Sequence, residues 1–451
     1  MNGEMGVRAL AAQIKALSIL IKSSGPLIFI LDYLIVLLAA TLLYFAARRA
    51  WSDRAQLLLG IVTTVTAATV LFFFSDPRII FEDYIIAYWP AGAAVLHGPE
   101  GLAPILAQGI RGFVNIPIIA YLFAPFGVLN RPMSSLAFFL FGLGCLAAAI
   151  GLIVRAYKLK GFPRGLVMLL IATQGPALYS VREGNASHLL LLPLIGGILL
   201  ARQRKDILAG VLFGFAALIK LPLMLVGVFF FVRGRWRIVI GGAGISALTV
   251  GLSVLVFGLQ ANINWYTQCI APFSDPMPAF NNQSVAAMVS KLTLGADSFG
   301  AWTVFPLDPP FAILVKVLDV LLLAAVGLAV WRGARAGAPE PQPSAAIEGE
   351  LMMIIVLACL LSPLSWSHYF VWLALPGAYL VAQVRDGLRR PEVLGLAGLG
   401  WLLVMPPVVH LPDPNPSYAT IIGNSHLLIG SLLLLCAVGL WRATIRPLPA
   451  A

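Results

Sequence analysis

The chain alternates between apolar segments of membrane-spanning length and short clusters of basic residues. An α-helix needs roughly 20 apolar residues to cross the hydrocarbon core of a bilayer. Segments that meet this requirement begin near residues 27, 57, 133, 238 and 311. Only 11% of the residues are charged, whereas a soluble domain carries roughly 25%. The sequence therefore predicts an all-α polytopic membrane protein.

The basic clusters set the predicted orientation of the chain. Lysine and arginine are enriched in the cytoplasmic loops of membrane proteins. With the clusters on the cytoplasmic side, the parity of the spans is consistent from residue 155 to the carboxyl terminus. The net charge of +11 comes from these clusters, so we expect no nucleic-acid partner. The four cysteines show neither disulfide nor metal spacing, and no metal or cofactor is expected.

This orientation places two long interruptions of the apolar pattern, residues 75–116 and 259–305, on the outer side as loops with short helices. Residues 117–130 contain two prolines and are predicted to form a short re-entrant or surface helix. Residues 6–22 are too short and too interrupted by charge to span a bilayer, which favours an interfacial amphipathic helix at 1–26. The other predicted divisions are a single transmembrane domain at 27–441, a cytoplasmic linker at 331–350 and a cytoplasmic tail at 442–451.

The apolar segment 206–232 lies between two basic clusters, so a single crossing would leave one of them on the wrong side. A hairpin with its apex at Lys220 and Pro222 keeps both clusters cytoplasmic, because proline breaks the helix there. A lone lysine in an apolar segment costs roughly 3 kcal/mol at the bilayer centre. Two interpretations stay open: Lys220 binds a ligand, with an anionic lipid phosphate as its natural partner, or it snorkels at a helix end.

The first outer loop brings acidic residues next to aromatic ones, just past the end of an apolar segment. Glu82 and Asp83 lie close to Tyr88 and Trp89. A carboxylate at the membrane surface can be partly desolvated and still reached by a lipid-linked substrate, as a general base must be. The alternative is that Asp83 caps a surface helix and that Tyr88 and Trp89 belong to an aromatic belt.

Further polar residues fall on the same predicted side of the membrane. One group follows a span in the turn "SVREGNAS", a second lies in the other outer loop, and a third occupies "LLSPLSWSHYF", where two spans meet. Amides and aromatic rings are typical of surfaces that bind polyols. The residues concerned are Arg182 and Asn185, then Asn281, Asn282 and Gln283, then Trp366 and His368.

Six sequence motifs together carry a resemblance to a known family. They are "FEDYIIAYWPAGAAVLHG", "FVNIPIIAYLFAPFGVL", "REGNASHLLLLPL", "AGVLFGFAALIKLPLMLV", "NNQS" and "LSPLSWSHYFVWLALP", and they run from about residue 81 to residue 376. In this order and spacing they resemble the family 87 glycosyltransferases of the GT-C superfamily. The resemblance implies a GT-C-type helical bundle in the bacterial inner membrane. It also implies inverting transfer of a sugar, typically mannose, from a polyprenyl-phosphate donor to a lipid or glycan acceptor on the periplasmic side.

The resemblance also implies roles for individual residues. The acidic residue of the first outer loop is the general base in that family, and Asp83 matches it, with Glu82 as the rival because the spacing to Tyr88 is one residue longer than the pattern. Lys220, Arg182 and His368 would contact the donor phosphate. The residues expected to contact sugar or acceptor are Glu82, Tyr88, Asn185, Asn282, Gln283, Ser284 and Trp366.

Two other functions compete with glycosyl transfer at this point. A lipid or sugar transporter would also use an intramembrane lysine and broken helices. However, the polar residues collect in outer loops rather than at mid-membrane, which favours a surface active site. A lipid-linked oligosaccharide polymerase or ligase would use a different base and release a long-chain product.

Overall fold

The computed structural model describes residues 26–75, 80–335, 345–408 and 417–444. Within these ranges the regular structure is helical, and the one isolated β-bridge pairs Asn282 with Trp366. Six of the described helices are long and apolar enough to cross a membrane. The predicted all-α polytopic fold is therefore confirmed, while the amphipathic helix predicted at 1–26 falls almost wholly outside the described residues.

The helices differ widely in length. The long helices are Pro26–Arg48, Asp53–Ser75, Arg131–Ala156, Trp236–Trp265, Pro309–Arg335 and His426–Thr444. Shorter helices are Trp89–Val95, Gly161–Thr173, Gly175–Glu183, Leu191–Arg202, Asp206–Ile219, Met224–Val232, Val285–Leu294, Ala345–Leu360, Ala374–Arg385, Pro391–Val404 and Tyr418–Asn424.

The segment 206–232 folds back on itself, as predicted. Its first helix ends at Ile219, a single 3₁₀ turn follows at Leu221–Leu223, and the second helix ends at Val232. The Asp206 carboxylate at the start pairs with the Arg235 guanidinium just past the end. Because the two ends of the segment meet, Lys220 lies at the apex of a hairpin.

Ion pairs gather the basic clusters on one face of the bundle, which we call the basic face. Arg202 pairs with Glu348, and Arg233 and Arg442 both pair with Glu350. Arg235 also donates to the backbone carbonyl of Ala201, which joins the hairpin to this network. Each of these arginines lies at or next to a helix end, so the opposite ends of the same helices form the other face of the bundle.

The helix that leads to the opposite face is broken after Thr173. Gly175 donates its backbone N–H to the carbonyl of Met405 at 2.7 Å. A Cβ at position 175 would lie 2.3 Å from the carbonyl oxygen of Pro406, so only glycine permits this approach. The chain then resumes as the helix Gly175–Glu183, which reaches the outer segments.

The two outer segments contain short helices, as predicted for 75–116 and 259–305. The first includes a π-helical turn at Tyr84–Tyr88 that continues into Trp89–Val95. The segment 117–130 contains a 3₁₀ helix at Pro117–Leu122 and one helical turn at Ala124–Gly127. Its helical structure is therefore short, as predicted. The helix that begins at Trp236 is interrupted at Gly258, whose φ is 80°, and a further helical segment runs from there to Trp265 in the second outer segment.

The predicted cytoplasmic linker at 331–350 contains helical residues at both ends. One helix ends at Arg335 and the next begins at Ala345. Glu348 and Glu350 in the second helix are buried and form ion pairs of the basic face. Of the tail at 442–451, the described part is helical up to Thr444.

The Glu350 cluster generates a stability prediction. The Glu350 side chain is fully buried between two arginines, so Glu350→Gln leaves both guanidinium groups without a counter-charge. Removing one partner of a buried ion network costs about 3–5 kcal/mol. We expect a clear decrease in the melting temperature of the purified protein in detergent.

The matched control, Glu392→Gln, breaks a pair whose side chains are both more than half exposed and should change stability by less than about 1 kcal/mol. Equal melting temperatures for the two variants would contradict the structural role of Glu350.

Candidate active site in the outer cavity

Two backbone segments meet closely at the start of the first outer segment. Phe81 donates its backbone N–H to the carbonyl of Arg182 at 2.7 Å. Gly184 ends the helix Gly175–Glu183 with a φ of 65°, a conformation that glycine adopts without strain. A Cβ at position 184 would lie 2.6 Å from Cβ of Tyr84. Glycine at this position therefore lets the first outer segment rest directly on the turn that follows the helix.

This contact brings the Asp83 carboxylate to the Asn185 side chain. Asn185 Nδ2 donates a hydrogen bond to Asp83 Oδ2 at 2.6 Å. The other end of the amide is also fixed, because Asn185 Oδ1 accepts from the N–H and the hydroxyl of Ser187 at 3.0 and 2.9 Å. The amide is therefore preorganised to hold the carboxylate.

The protonation of Asp83 depends on its surroundings. Burial raises the pKa of Asp83, while the hydrogen bond from Asn185 and the positive charge of Lys220 oppose this increase. The negative charge of the adjacent Glu82 raises the pKa slightly further. A carboxylate whose pKa is raised, and which an amide orients near a lysine charge, has the character of a general base.

Lys220 lies at the hairpin apex and is directed into the bundle. Its side chain is buried, and Nζ lies 4.6 Å from the ring centroid of Tyr369. This cation–π contact partly replaces water around the ammonium group. Since the charge of Lys220 also acts on Asp83, the lysine and the carboxylate belong to one electrostatic site. The ligand-binding interpretation of Lys220 is favoured over snorkelling, because a snorkelling lysine extends to water.

His368 follows the helix Ala345–Leu360 and is buried beside Lys220. Its ring is parallel to the ring of Tyr179, with centroids 6.2 Å apart. Neither ring nitrogen has a hydrogen-bond partner among the described residues. Burial, reinforced by the positive charge of Lys220, lowers the pKa of His368 well below its usual range. The imidazole is therefore neutral and offers one N–H donor to a ligand.

These side chains surround a single cavity of about 1360 Å³. Part of its wall is apolar and continues onto the outside of the bundle, because Leu221, Met224 and Val228 line the cavity and are also exposed. A polar head and an apolar chain can therefore occupy the cavity together. The residues of the sequence prediction that line it are Glu82, Asp83, Tyr88, Arg182, Asn185, Lys220, Trp366 and His368.

Three residues with a predicted role in sugar contact lie outside the lining of this cavity. Asn282 donates from Nδ2 to the backbone carbonyl of Met277, and Gln283 donates from Nε2 to the carbonyl of Phe280. Ser284 caps the helix Val285–Leu294 by accepting from the N–H of Ala287 at 2.9 Å. In this structure the three side chains hold the second outer segment in place, and the neighbouring Asn281 lines the cavity instead.

Comparison with known proteins identifies the family. The model of glycosyltransferase family 87 matches residues 113–363, which is more than half of the chain. The chain belongs to glycosyltransferase family 87. The matched range of this glycosyltransferase contains Arg182, Asn185 and Lys220, whereas Asp83 precedes it and His368 follows it. No solved structure matches the chain.

Several curated relatives extend the comparison over most of the chain. A polyprenol-phosphate-mannose-dependent α-(1-2)-phosphatidylinositol pentamannoside mannosyltransferase of Mycolicibacterium smegmatis is 29% identical over 69% of this chain and 74% of the relative. The phosphatidylinositol mannoside mannosyltransferase of the same organism is 25% identical over 76% of this chain and 80% of the relative. Its counterpart in Mycobacterium tuberculosis is 24% identical over 73% and 74%.

Three further residues line the cavity of this glycosyltransferase, and the sequence analysis gave them no role. Asn115, Tyr179 and Tyr369 line the wall. No local pattern distinguishes them, since each lies in or beside an apolar helical stretch that reads as core or aromatic belt. Asn281 was visible as a loop amide, but its neighbour Asn282 was preferred. Both amides lie in a turn that is closed by the hydrogen bond from the Asn282 N–H to the carbonyl of Ala279. The Asn282 side chain donates to backbone carbonyls of neighbouring loops, and only Asn281 lines the cavity.

Proposed function

We propose that this glycosyltransferase transfers mannose from a polyprenyl-phosphate donor to a lipid-linked glycan acceptor at the outer face of the bacterial inner membrane. The observation that carries the proposal is the joint presence of Asp83, Lys220 and His368 around one cavity whose wall continues onto the lipid-facing surface. The donor class and mannose come from the relatives, which are polyprenol-phosphate-mannose-dependent.

The reaction follows from the roles of these three groups. Asp83 takes the proton of an acceptor hydroxyl as that oxygen forms a bond to the anomeric carbon of the donor sugar. The bond between this carbon and the phosphate oxygen breaks, and its electron pair stays on the polyprenyl phosphate. The leaving phosphate gains negative charge, which the Lys220 ammonium stabilises and to which His368 donates one N–H. Because the hydroxyl attacks the face opposite the leaving phosphate, the transfer inverts the anomeric centre.

The local environment favours Asp83 over Glu82 as the general base. Asp83 is partly buried and receives the hydrogen bond of Asn185, whereas Glu82 is exposed. Both features improve a base: the fixed amide orients the carboxylate toward the substrate, and partial desolvation raises its pKa toward the operating pH. Glu82 remains at the cavity rim, where it would contact an acceptor hydroxyl.

The orientation in the membrane is supported by the two faces of the bundle. The arginine clusters converge on the basic face, and positively charged loops are retained in the cytoplasm. The cavity lies at the other ends of the same helices, so it would face the periplasm. A polyprenyl-phosphate sugar presented from the outer leaflet would then reach the cavity with its head group at the membrane surface.

The acceptor class is inferred from the relatives, which act on phosphatidylinositol mannosides. Such an acceptor presents a sugar head group at the membrane surface, level with the proposed position of the cavity. Family membership assigns glycosyl transfer rather than transport. A polymerase or ligase would instead release long-chain products, and product length distinguishes it.

The general base generates the first catalytic prediction. Asp83→Asn retains the shape and a hydrogen-bonding group but removes the proton acceptor, so transfer should decrease about a hundredfold or more. The rate is measured with purified protein in lipid, radiolabelled polyprenyl-phosphate mannose and phosphatidylinositol mannosides. The matched control is Glu82→Gln, for which we expect a decrease of less than about tenfold. A larger decrease in transfer rate for Glu82→Gln than for Asp83→Asn, at equal folded fraction, would assign the base to Glu82.

The hydrogen bond from Asn185 generates a prediction for the pH dependence. This bond lowers the pKa of Asp83, so Asn185→Ala leaves that pKa higher than in the wild type. Because the base acts only when ionised, kcat/KM decreases as the pH falls, and the variant should begin this decrease at a higher pH. Ser187→Ala is the control, since it removes a bond to Asn185 and spares the bond to Asp83. If kcat/KM begins to decrease at the same pH in Asn185→Ala and in the wild type, Asp83 is not the titrating base.

A further inference from the structure

Two tryptophans from distant parts of the chain form a stacked pair in the cavity wall. The rings of Trp302 and Trp366 are 5.8 Å apart between centroids and inclined by 26°. Both residues line the cavity, and Trp302 is 44% exposed. The ring of Phe280 supports Trp302 in an edge contact at 6.1 Å. The cavity therefore has an exposed aromatic surface, supported by two further rings, that the proposed transfer chemistry does not use.

Backbone hydrogen bonds hold this aromatic pair in a defined position. Ser367 donates its N–H to the carbonyl of Asn281 at 2.8 Å, and Gln283 donates to the carbonyl of Ser365 at 2.7 Å. Phe280 donates to the carbonyl of Phe299 at 3.1 Å, which anchors the chain that leads to Trp302. A surface that is fixed in this way loses little conformational entropy when it binds a ligand.

The side chain of Asn281 adds a polar group to the same part of the cavity. Its Nδ2 donates to the hydroxyl of Tyr179 at 3.0 Å. Its Oδ1 is buried and has no hydrogen-bond partner among the described residues. A buried amide oxygen without a partner is costly, and a ligand hydroxyl would satisfy it. Tyr179 lies within electrostatic reach of Asp83, which connects this group to the reaction centre.

We propose that Trp302, Trp366 and Asn281 form a subsite for a second sugar ring of the acceptor, next to the ring that is mannosylated. An aromatic face covers the C–H groups of a pyranose, and an amide oxygen accepts from its hydroxyl groups. The inference rests on the proposed function. In that function Lys220 and His368 bind the donor phosphate and Asp83 takes the proton of the reacting acceptor hydroxyl. The separate aromatic and amide surface is then available to the next ring of the acceptor.

The subsite makes the enzyme sensitive to the length of the acceptor glycan. An acceptor with one mannose leaves Trp302 uncovered, whereas acceptors with two or more mannoses cover it. In the wild type, the KM for phosphatidylinositol mannosides should therefore decrease when the number of mannoses increases from one to two.

The experiment compares acceptor and donor kinetics in the full-length protein in lipid nanodiscs. Trp302→Ala should raise the KM for the two-mannose acceptor about tenfold, leave the KM for the one-mannose acceptor near the wild-type value, and leave the donor KM unchanged. Trp302→Tyr keeps an aromatic face and should retain most of the affinity. The control, Trp236→Ala, removes an exposed tryptophan outside the cavity lining. It should change none of the three KM values.

A binding measurement separates this inference from the proposed function. Hydroxyl-radical footprinting of the wild-type protein with α-1,2-mannobiose should protect Trp302 from oxidation, whether or not the protein transfers mannose. Protection without any mannose transfer would contradict the proposed function and leave the subsite standing. Absence of protection would overturn the subsite, and so would an equal effect of Trp302→Ala on the one- and two-mannose acceptors or an increase in the donor KM.

Discussion

The hydrogen bond between Asn185 and Asp83 joins the two segments on which the site depends. It forms because Gly184 leaves no Cβ between the backbones and because Phe81 is tied to the carbonyl of Arg182. Without this contact, the Asp83 carboxylate would lose the hydrogen bond that fixes it relative to Lys220 and His368. The carboxylate would then lose the orientation that a general base requires.

The basic face of the bundle constrains the site from the other ends of the helices. Buried carboxylates at Glu348 and Glu350 bind three arginines from other helix ends, and the Asp206–Arg235 pair closes the hairpin. These pairs fix the ends of the helices on the basic face, and so they also fix the level of the hairpin apex on the other. Lys220 thus reaches the cavity because a short helix, a proline turn and a distant ion pair act together.

The sequence was sufficient to predict the features that follow from local rules. Apolar length and basic clusters predicted the spans and the hairpin, and residue chemistry marked Asp83, Asn185, Lys220 and His368, which the structure brings to one cavity. Features that depend on long-range contacts escaped prediction. The choice between Asn281 and Asn282 depends on which side chain is bound by distant backbone groups, as Asn282 is by the carbonyl of Pro363. Likewise, the helix that begins at Ala345 within the predicted linker pairs with arginines far away in the sequence.

The most direct test of this account is a structure of the protein with a polyprenyl-phosphate mannose analogue whose oxygen bridge is replaced by carbon. The account predicts the phosphate within hydrogen-bonding distance of Lys220 Nζ and a ring nitrogen of His368. It also predicts that the sugar turns the face opposite the phosphate toward Asp83 and that the prenyl chain follows Leu221 and Met224. A phosphate bound away from Lys220, or a sugar that turns the same face as the phosphate toward Asp83, would contradict it.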